Sequence, residues 1–167
     1  MENDESLHAV LDFCEGLPKE RHARGEVLIP EGPGTGRMYI LVEGALEVLR
    51  GEETVAATDE PGAIFGEMSV LLGTGHSASV RAATDVTVYR IDDARAFLKQ
   101  RPEIGFHVAV ILARRLQDST IYLADFKRQF GHRNDHFALV DQVLETLVQR
   151  QSRRKKGGSA LKTDSRL

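Results

Sequence analysis

Residues 21–92 consist of short apolar runs separated by glycines. The second half of the chain has a different pattern, in which apolar residues follow helical spacing. Short apolar runs with regularly spaced turn residues predict an antiparallel β-roll or barrel. The predicted strands are residues 27–30, 38–42, 45–50, 54–58, 77–83 and 86–91. Gly44 lies alone between the second and third of these strands, and its position predicts a tight hairpin there.

Helical spacing of apolar residues appears on both sides of this segment. Leu7, Val10, Leu11 and Leu17 predict a short N-terminal helix. After Ile91, an aspartate at position 92 or 93 can cap a short helix through residue 99. Pro102 fits the first turn of a helix that continues to residue 130. The predicted parts are a helix at 1–16, the roll at 17–101, a long helix at 102–130, an amphipathic helix at 135–151 and a basic flexible tail at 152–167.

The predicted long helix carries two apolar stripes. Ile104, Val108 and Ile111 form the first, which we expect to pack onto the roll. The second follows alternating steps of three and four, as in a coiled-coil seam, with one polar interruption at Ser119. Its members are Ala109, Leu112, Leu116, Ser119, Leu123, Phe126 and Phe130. The partner of this seam is either the same helix of a second subunit, which the unbroken period favours, or the last helix of the same chain.

Charge is distributed unevenly over the 167 residues. The net charge is −3, but residues 150–167 carry seven basic residues and one acid, so that segment is +6 and the remainder is −9. An acidic body argues against broad contact with nucleic acid. The basic tail is interpreted as a solvated, disordered end, with contact to an anionic partner as the alternative.

Several classes of protein are excluded or disfavoured by composition. The single cysteine, Cys14, excludes an internal disulfide, and no secretion signal or apolar run of membrane-spanning length is present, which favours a cytoplasmic protein. No motif pairs Cys14 with a base, so an enzyme is not expected. His132 and His136 have the spacing of a metal-binding pair on a helix, but they flank a predicted break after Gly131, so we expect no metal site.

The stretch FGEMSVLLGTGHSASVRA, residues 65–82, carries the candidate chemistry. A glycine followed by a short helix presents free backbone N–H groups that favour an anion, and Glu67 at that start can accept hydrogen bonds from the hydroxyls of a sugar. On the following strand, His76 shares a face with Ala78, whose small side chain leaves room for a ligand. The pattern favours a ligand that combines phosphate and sugar.

This stretch resembles the phosphate-binding cassette of the cyclic nucleotide-binding domain family, whose pattern runs roughly F-G-E-x-[AG]-L-[LF]…R-[ST]-A-x-V-x-A. Residues 25–48 also resemble the strand pattern of the family, and residues 101–120 resemble the long helix of its cAMP receptor branch. The resemblance covers about residues 17–130. It implies a regulatory domain with cAMP or cGMP as its ligand and no other cofactor.

The resemblance also implies a role for each position of the site. Glu67 would accept the ribose 2′-hydroxyl, and Ser77 would donate to the cyclic phosphate. The amides around Gly66, Met68 and Ser69 would face that phosphate. Hydroxyls just after the R-R-L-Q motif would meet the adenine edge across a dimer, which favours cAMP over cGMP. The predicted ligand-binding residues are Phe65, Gly66, Glu67, Met68, Ser69, His76, Ser77, Ala78, Arg115, Ser119 and Thr120.

Two departures from the family pattern affect the expected function. His76 stands where most members have an arginine, and Gly75 replaces a frequent proline. His76 is therefore a weaker, pH-sensitive phosphate ligand, or the site takes another ligand, or it is degenerate. The 32 residues from His136 are also too few for a winged helix-turn-helix, so either DNA binding is absent or the chain is a fragment. We expect a cytoplasmic, dimeric sensor of a cyclic nucleotide, with a non-binding dimerisation or protein-docking module as the alternative.

Overall fold

The computed structural model describes residues 10–130 and 137–149. It divides the chain into two compact units, Met1–Ile111 and Leu112–Leu167, with the boundary inside the long helix. Four predicted features lie outside the described residues: the start of the N-terminal helix, the break after Gly131, the His132 and His136 pair, and the basic tail. Residues 10–12 are helical.

Eight strands form two antiparallel four-stranded sheets in the first unit. The strands are β1 (Lys19–His22), β2 (Val27–Ile29), β3 (Met38–Glu43), β4 (Leu46–Arg50), β5 (Glu53–Thr58), β6 (Ile64–Phe65), β7 (Ser79–Ala82) and β8 (Val86–Ile91). The first sheet has the order β1-β8-β3-β6 and the second β2-β7-β4-β5. The predicted α+β class with an antiparallel roll is confirmed.

The hairpin predicted at Gly44 is wrong. Strand β3 pairs with β6 and β8 in the first sheet, whereas β4 pairs with β5 and β7 in the second. The chain therefore crosses between the sheets at Gly44. The crossing from β7 to β8 at Thr84 and Asp85 lies beside it, and there the Thr84 hydroxyl accepts from the Ala45 N–H at 2.9 Å. Apolar strands bounded by a glycine look the same in a hairpin and in a crossing, since both bury the same face.

Two strands carry no signal in the sequence, and one is shorter than predicted. β1 reads KERH, without apolar alternation, and β6 has two residues. Both depend on pairing with strands distant in the chain rather than on their own side chains. β7 begins at Ser79 instead of residue 77 because His76 pairs outside the ladder, in an isolated bridge with Gly32.

The core lies between the two sheets and is built from their inward faces. Leu41 of the first sheet and Leu46 of the second are both fully buried. The cluster comprises Leu28, Ile29, Tyr39, Leu41, Leu46, Ala63, Phe65, Val80, Ala82, Val86 and Val88. Since buried apolar area stabilises a fold by about 25 cal/mol per Å², this cluster fixes the strands that carry the candidate site.

Besides the helical residues 10–12, the described residues form four helices: α1 (Glu67–Leu72), α2 (Ala94–Gln100), α3 (Pro102–Phe130) and α4 (Phe137–Gln149). Asp93, rather than Asp92, caps α2, and its carboxylate accepts from the Ala96 N–H at 3.0 Å. Pro102 begins α3 as predicted. Ile104 and Val108 are buried, so the first stripe of the long helix packs within the first unit.

The second unit contains the remainder of α3 together with α4. Lys127 of α3 pairs with Asp141 of α4. Of the predicted seam, Leu112 and Leu123 are half-buried, whereas Leu116 and Phe126 are exposed. The partner of the seam stays a prediction. No described helix is both long and apolar enough to cross a bilayer.

Replacing Gly44 by alanine tests the crossing between the sheets. Its φ is +91°, and an added Cβ would lie 2.3 Å from the Asp85 carbonyl oxygen. We expect Gly44→Ala to lower the free energy of unfolding by about 3 kcal/mol, as the sum of backbone strain and overpacking. Urea denaturation measures this change.

Gly51→Ala provides the matched control for that measurement. Gly51 has a φ of +58°, and nothing lies within 4 Å of an added Cβ. This variant therefore isolates backbone strain, and we expect a loss of about 1 kcal/mol. Equal losses at the two glycines would contradict the close approach at Gly44.

Candidate functional site

The cassette begins at the end of β6, the edge strand of the first sheet. Strand β6 ends at Phe65, which is buried, and Gly66 forms the N-cap of the six-residue helix α1. Gly73 ends the helix and donates its N–H to the Ser69 carbonyl at 2.9 Å. The cassette thus starts from a position fixed by the core.

Helix α1 buries two polar side chains. Glu67 is 5% exposed and Ser69 is 7% exposed, although carboxylates are among the residues least often buried. The Ser69 hydroxyl donates to the Thr74 carbonyl at 2.7 Å. This local hydrogen bond satisfies the buried hydroxyl. Met68, between them, is half exposed. The carboxylate of Glu67 is therefore shielded from bulk solvent at the start of α1.

His76 is held by the loop at residues 31–36. Its N–H donates to the Gly32 carbonyl at 2.7 Å, and its carbonyl accepts from the Gly32 N–H at 3.0 Å. Its Nε2 accepts from the Thr35 N–H at 3.1 Å, and the Thr35 hydroxyl lies at the same distance. A ring nitrogen that accepts carries no proton, so the imidazole is neutral with its proton on Nδ1. Burial also lowers the pKa of His76 from 6.5.

The absence of a side chain at Gly75 permits this contact. A Cβ at that position would lie 2.4 Å from the Gly32 carbonyl oxygen. Real Cβ atoms do not approach a carbonyl so closely, so any larger residue would push the loop away from the cassette. Gly75 and His76, the two departures noted in the sequence, therefore form one structural feature.

Ser77 faces a different neighbour from His76. Ser77 is exposed and Ala78 is half-buried, whereas Val80 and Ala82 further along are buried. The carbonyl of Ser77 accepts from Nε of Arg50, the last residue of β4, at 3.3 Å. Sequence reasoning missed Arg50 because it lies 27 positions from Ser77, and only the pairing of β4 with β7 brings them together.

The three residues predicted on the long helix lie in the second unit. Arg115, Ser119 and Thr120 are all exposed on α3. The Thr120 hydroxyl donates to the Leu116 carbonyl at 2.8 Å. Their placement against the cassette stays a prediction.

The first unit has two other features, a buried thiol and a cavity. Cys14 is buried, and burial raises the pKa of its thiol to about 11, so the thiol is protonated at neutral pH. A cavity of about 700 Å³ borders α1. Its lining is Gly34, Gly36, Ser69, Val70, Gly73, Thr74, Gly75, Asp92, Asp93 and Arg95. Of the predicted ligand-binding residues, Ser69 belongs to that lining, whereas Glu67 and Ser77 do not.

Comparison with known families identifies a segment of the first unit. The family model of the cyclic nucleotide-binding domain matches residues 19–100, from the first residue of β1 to the last residue of α2. This segment belongs to the cyclic nucleotide-binding domain family. The resemblance predicted from the cassette is confirmed, over nearly half of the 167 residues.

The chain is similar in sequence to two curated proteins and in fold to a solved structure. The chain is 32% identical over 123 residues to the CRP-like cAMP-activated global transcriptional regulator of Mycobacterium tuberculosis, covering 70% of this chain and 55% of the regulator. It is 30% identical over 83 residues to cGMP-dependent protein kinase 2 of Mus musculus, covering 50% of this chain and 11% of the kinase. The fold matches the crystal structure of the Thermus thermophilus catabolite activator protein with a TM-score of 0.58 and 21% identity, covering 88% of this chain and 84% of that one.

The pH dependence of stability tests the state of His76 in this cyclic nucleotide-binding domain. Because burial lowers its pKa below 6.5, the unfolded chain binds a proton at a higher pH than the folded chain. The free energy of unfolding therefore falls as pH drops below that value. His76→Gln keeps an acceptor for Thr35 without titrating, so we expect its stability to fall less from pH 6.5 to pH 5.

Urea denaturation of both proteins at pH 8 provides the reference for this comparison. There the imidazole is neutral in both states, and we expect the variant to lose about 1 kcal/mol or less, the value of one altered hydrogen bond. Parallel pH curves for the two proteins would contradict a buried, neutral His76.

Proposed function

We propose that this chain is a regulatory module that binds a cyclic purine nucleotide at the cassette of residues 65–82. The observation that carries the proposal is the family match over residues 19–100, which contains a buried carboxylate at Glu67. A carboxylate at this position can accept a hydrogen bond from the free 2′-hydroxyl of the ribose of a cyclic nucleotide. The proposed activity is binding, without chemical conversion of the ligand.

The sugar and the phosphate would be held by different parts of the cassette. Glu67 would accept the ribose 2′-hydroxyl at the start of α1. The backbone around Gly66, Met68 and Ser69 would face the phosphate from one side. The exposed Ser77 would donate to it from the other, with Phe65 and Ala78 shaping the floor between them. His76 would border this site through its backbone while its ring stays on Thr35.

The base would meet the long helix of the second subunit in a dimer. The hydroxyl proton of Thr120 is committed to Leu116, but a hydroxyl oxygen has two acceptor sites in addition to its donor. That oxygen can accept from the exocyclic amino group of adenine, whereas the corresponding oxygen of guanine would need a donor. Ser119 and Arg115 are exposed beside it. We therefore favour cAMP over cGMP.

Signal transmission would use helix α3. This helix starts two residues after the end of α2 and carries apolar side chains that are exposed in the single chain, including Leu116 and Phe126. We propose that two copies pair through this seam as a homodimer. A nucleotide that binds one arrangement of the helices more tightly would shift the population toward it.

A second function has one observation in its favour. The cassette lacks the usual arginine, and the ring of His76 is engaged with Thr35. A domain whose pocket has lost its ligand would act as a dimerisation or docking module through its helices. Nucleotide binding distinguishes the two functions directly.

Isothermal titration calorimetry with cAMP and cGMP tests the proposed site. We expect measurable binding of cAMP and weaker binding of cGMP. Glu67→Gln removes the charge that accepts the ribose hydroxyl, and we expect its affinity for cAMP to fall about 10- to 100-fold, as for loss of a hydrogen bond to a charged group. Glu103→Gln, an exposed carboxylate on α3, is the control and should bind like the wild type. Absence of heat at millimolar cAMP and cGMP would support the docking module instead.

Sedimentation velocity tests the proposed dimer. Leu116→Lys introduces a charge into the seam, and we expect it to shift the protein from dimer to monomer. Gln117→Lys makes a similar change on an exposed position outside the seam and should leave the dimer intact. A monomeric wild type, with and without cAMP, would contradict the proposed dimer.

A further inference from the structure

The cassette itself provides no available cation for a phosphate. Residues 65–82 contain one arginine, Arg81, and one histidine, His76. Arg81 donates through Nε to the Glu47 carboxylate at 2.7 Å, and this contact lowers the pKa of Glu47. His76 accepts from Thr35 and is neutral. A cyclic phosphate carries one negative charge, so a positive partner must come from elsewhere in the fold.

Strand geometry shows from which side a partner can reach Ser77. In an antiparallel pair, the N–H and carbonyl of one residue point to the same neighbour, and those of the next residue point to the opposite side. His76 gives both groups to Gly32. The Ser77 carbonyl points away from that loop, because it accepts from Arg50 of β4. In extended backbone the Ser77 N–H would point to the same side.

Arg50 lies on that side. Its Nε donates to the Ser77 carbonyl at 3.3 Å, where a backbone N–H would otherwise continue the ladder between β4 and β7. The guanidinium is thus placed beside the Ser77 N–H. Both residues are exposed, so a ligand can reach them. The turn that carries Arg50 is fixed by Glu31, whose carboxylate accepts from the Gly51 N–H at 3.0 Å.

The terminal nitrogens of Arg50 are available for a ligand. Arg37, Arg81 and Arg90 each pair with a carboxylate within 4.0 Å. Among the described residues, the Arg50 guanidinium has no such partner, and its hydrogen bond uses Nε alone. Arginine recognises phosphate through two parallel N–H groups, which the two Nη atoms provide.

We propose that Arg50, from strand β4, supplies the positive charge that this cassette lacks at position 76. Its Nε stays on the Ser77 carbonyl, and its Nη atoms donate to the cyclic phosphate beside the Ser77 N–H. His76 stays on Thr35 and positions the loop instead of binding the ligand. This inference rests on the proposed binding of a cyclic nucleotide.

Calorimetry of the full chain with cAMP tests Arg50. We expect Arg50→Gln to weaken cAMP binding about 10- to 100-fold, because a charge-assisted pair with phosphate is lost. Arg50→Lys keeps the charge without the two parallel N–H donors, and its affinity for cAMP should fall less than about tenfold. His76→Gln should bind within about threefold of the wild type. Unchanged urea midpoints confirm that the variants are folded.

Arg24→Gln is the control for net charge. The neighbouring Gly25 N–H donates to the Ala82 carbonyl at 2.8 Å, which places Arg24 at the opposite end of β7 from Ser77. We expect its affinity for cAMP to stay within about twofold of the wild type. An Arg50→Gln variant that binds like the wild type, or an Arg50→Lys variant as weak as Arg50→Gln, would overturn the role of the Arg50 charge. A wild type that binds no cAMP would instead reject the proposed function itself.

Discussion

The close approach of two chain segments, residues 31–36 and 74–77, is the constraint on which the candidate site depends. The segments meet where Gly75 faces the Gly32 carbonyl, with no space for a side chain between them. The bridge between Gly32 and His76 follows from that contact, and it places Thr35 against the imidazole. Strand alternation then directs Ser77 toward β4. One backbone contact therefore decides which neighbour each cassette residue has.

This constraint changes the electrostatics expected of the site. A histidine in place of an arginine suggests a weakened phosphate ligand that protonation could restore. The environment of His76 opposes protonation, because Nε2 accepts a backbone N–H and burial lowers the pKa. The cation then has to come from outside the cassette, and the exposed end of β4 offers Arg50 beside Ser77. A departure at one position can thus be compensated from a neighbouring strand without change to the fold.

Much of this fold could be predicted from the sequence, because its signals are local. The cassette motif, the Asp93 cap and Pro102 each act through residues close in the chain, and each lies where the pattern places it. The features that could not be predicted depend on contacts between residues distant in the chain. The crossing at Gly44 and the strand at residues 19–22 depend on partners distant in the chain. The contacts of His76 with Thr35 and of Ser77 with Arg50 depend on pairing between strands and loops, which leaves no trace in local spacing.

A crystal structure of the chain grown with cAMP would show whether Arg50 or His76 contacts the phosphate. We expect the phosphate oxygens within about 3 Å of the Ser77 N–H and of the Arg50 Nη atoms, the ordinary range of hydrogen bonds. We also expect His76 Nε2 to stay on the Thr35 N–H. A structure in which the His76 ring leaves Thr35 to contact the phosphate, while Arg50 points into solvent, would contradict the proposed role of Arg50.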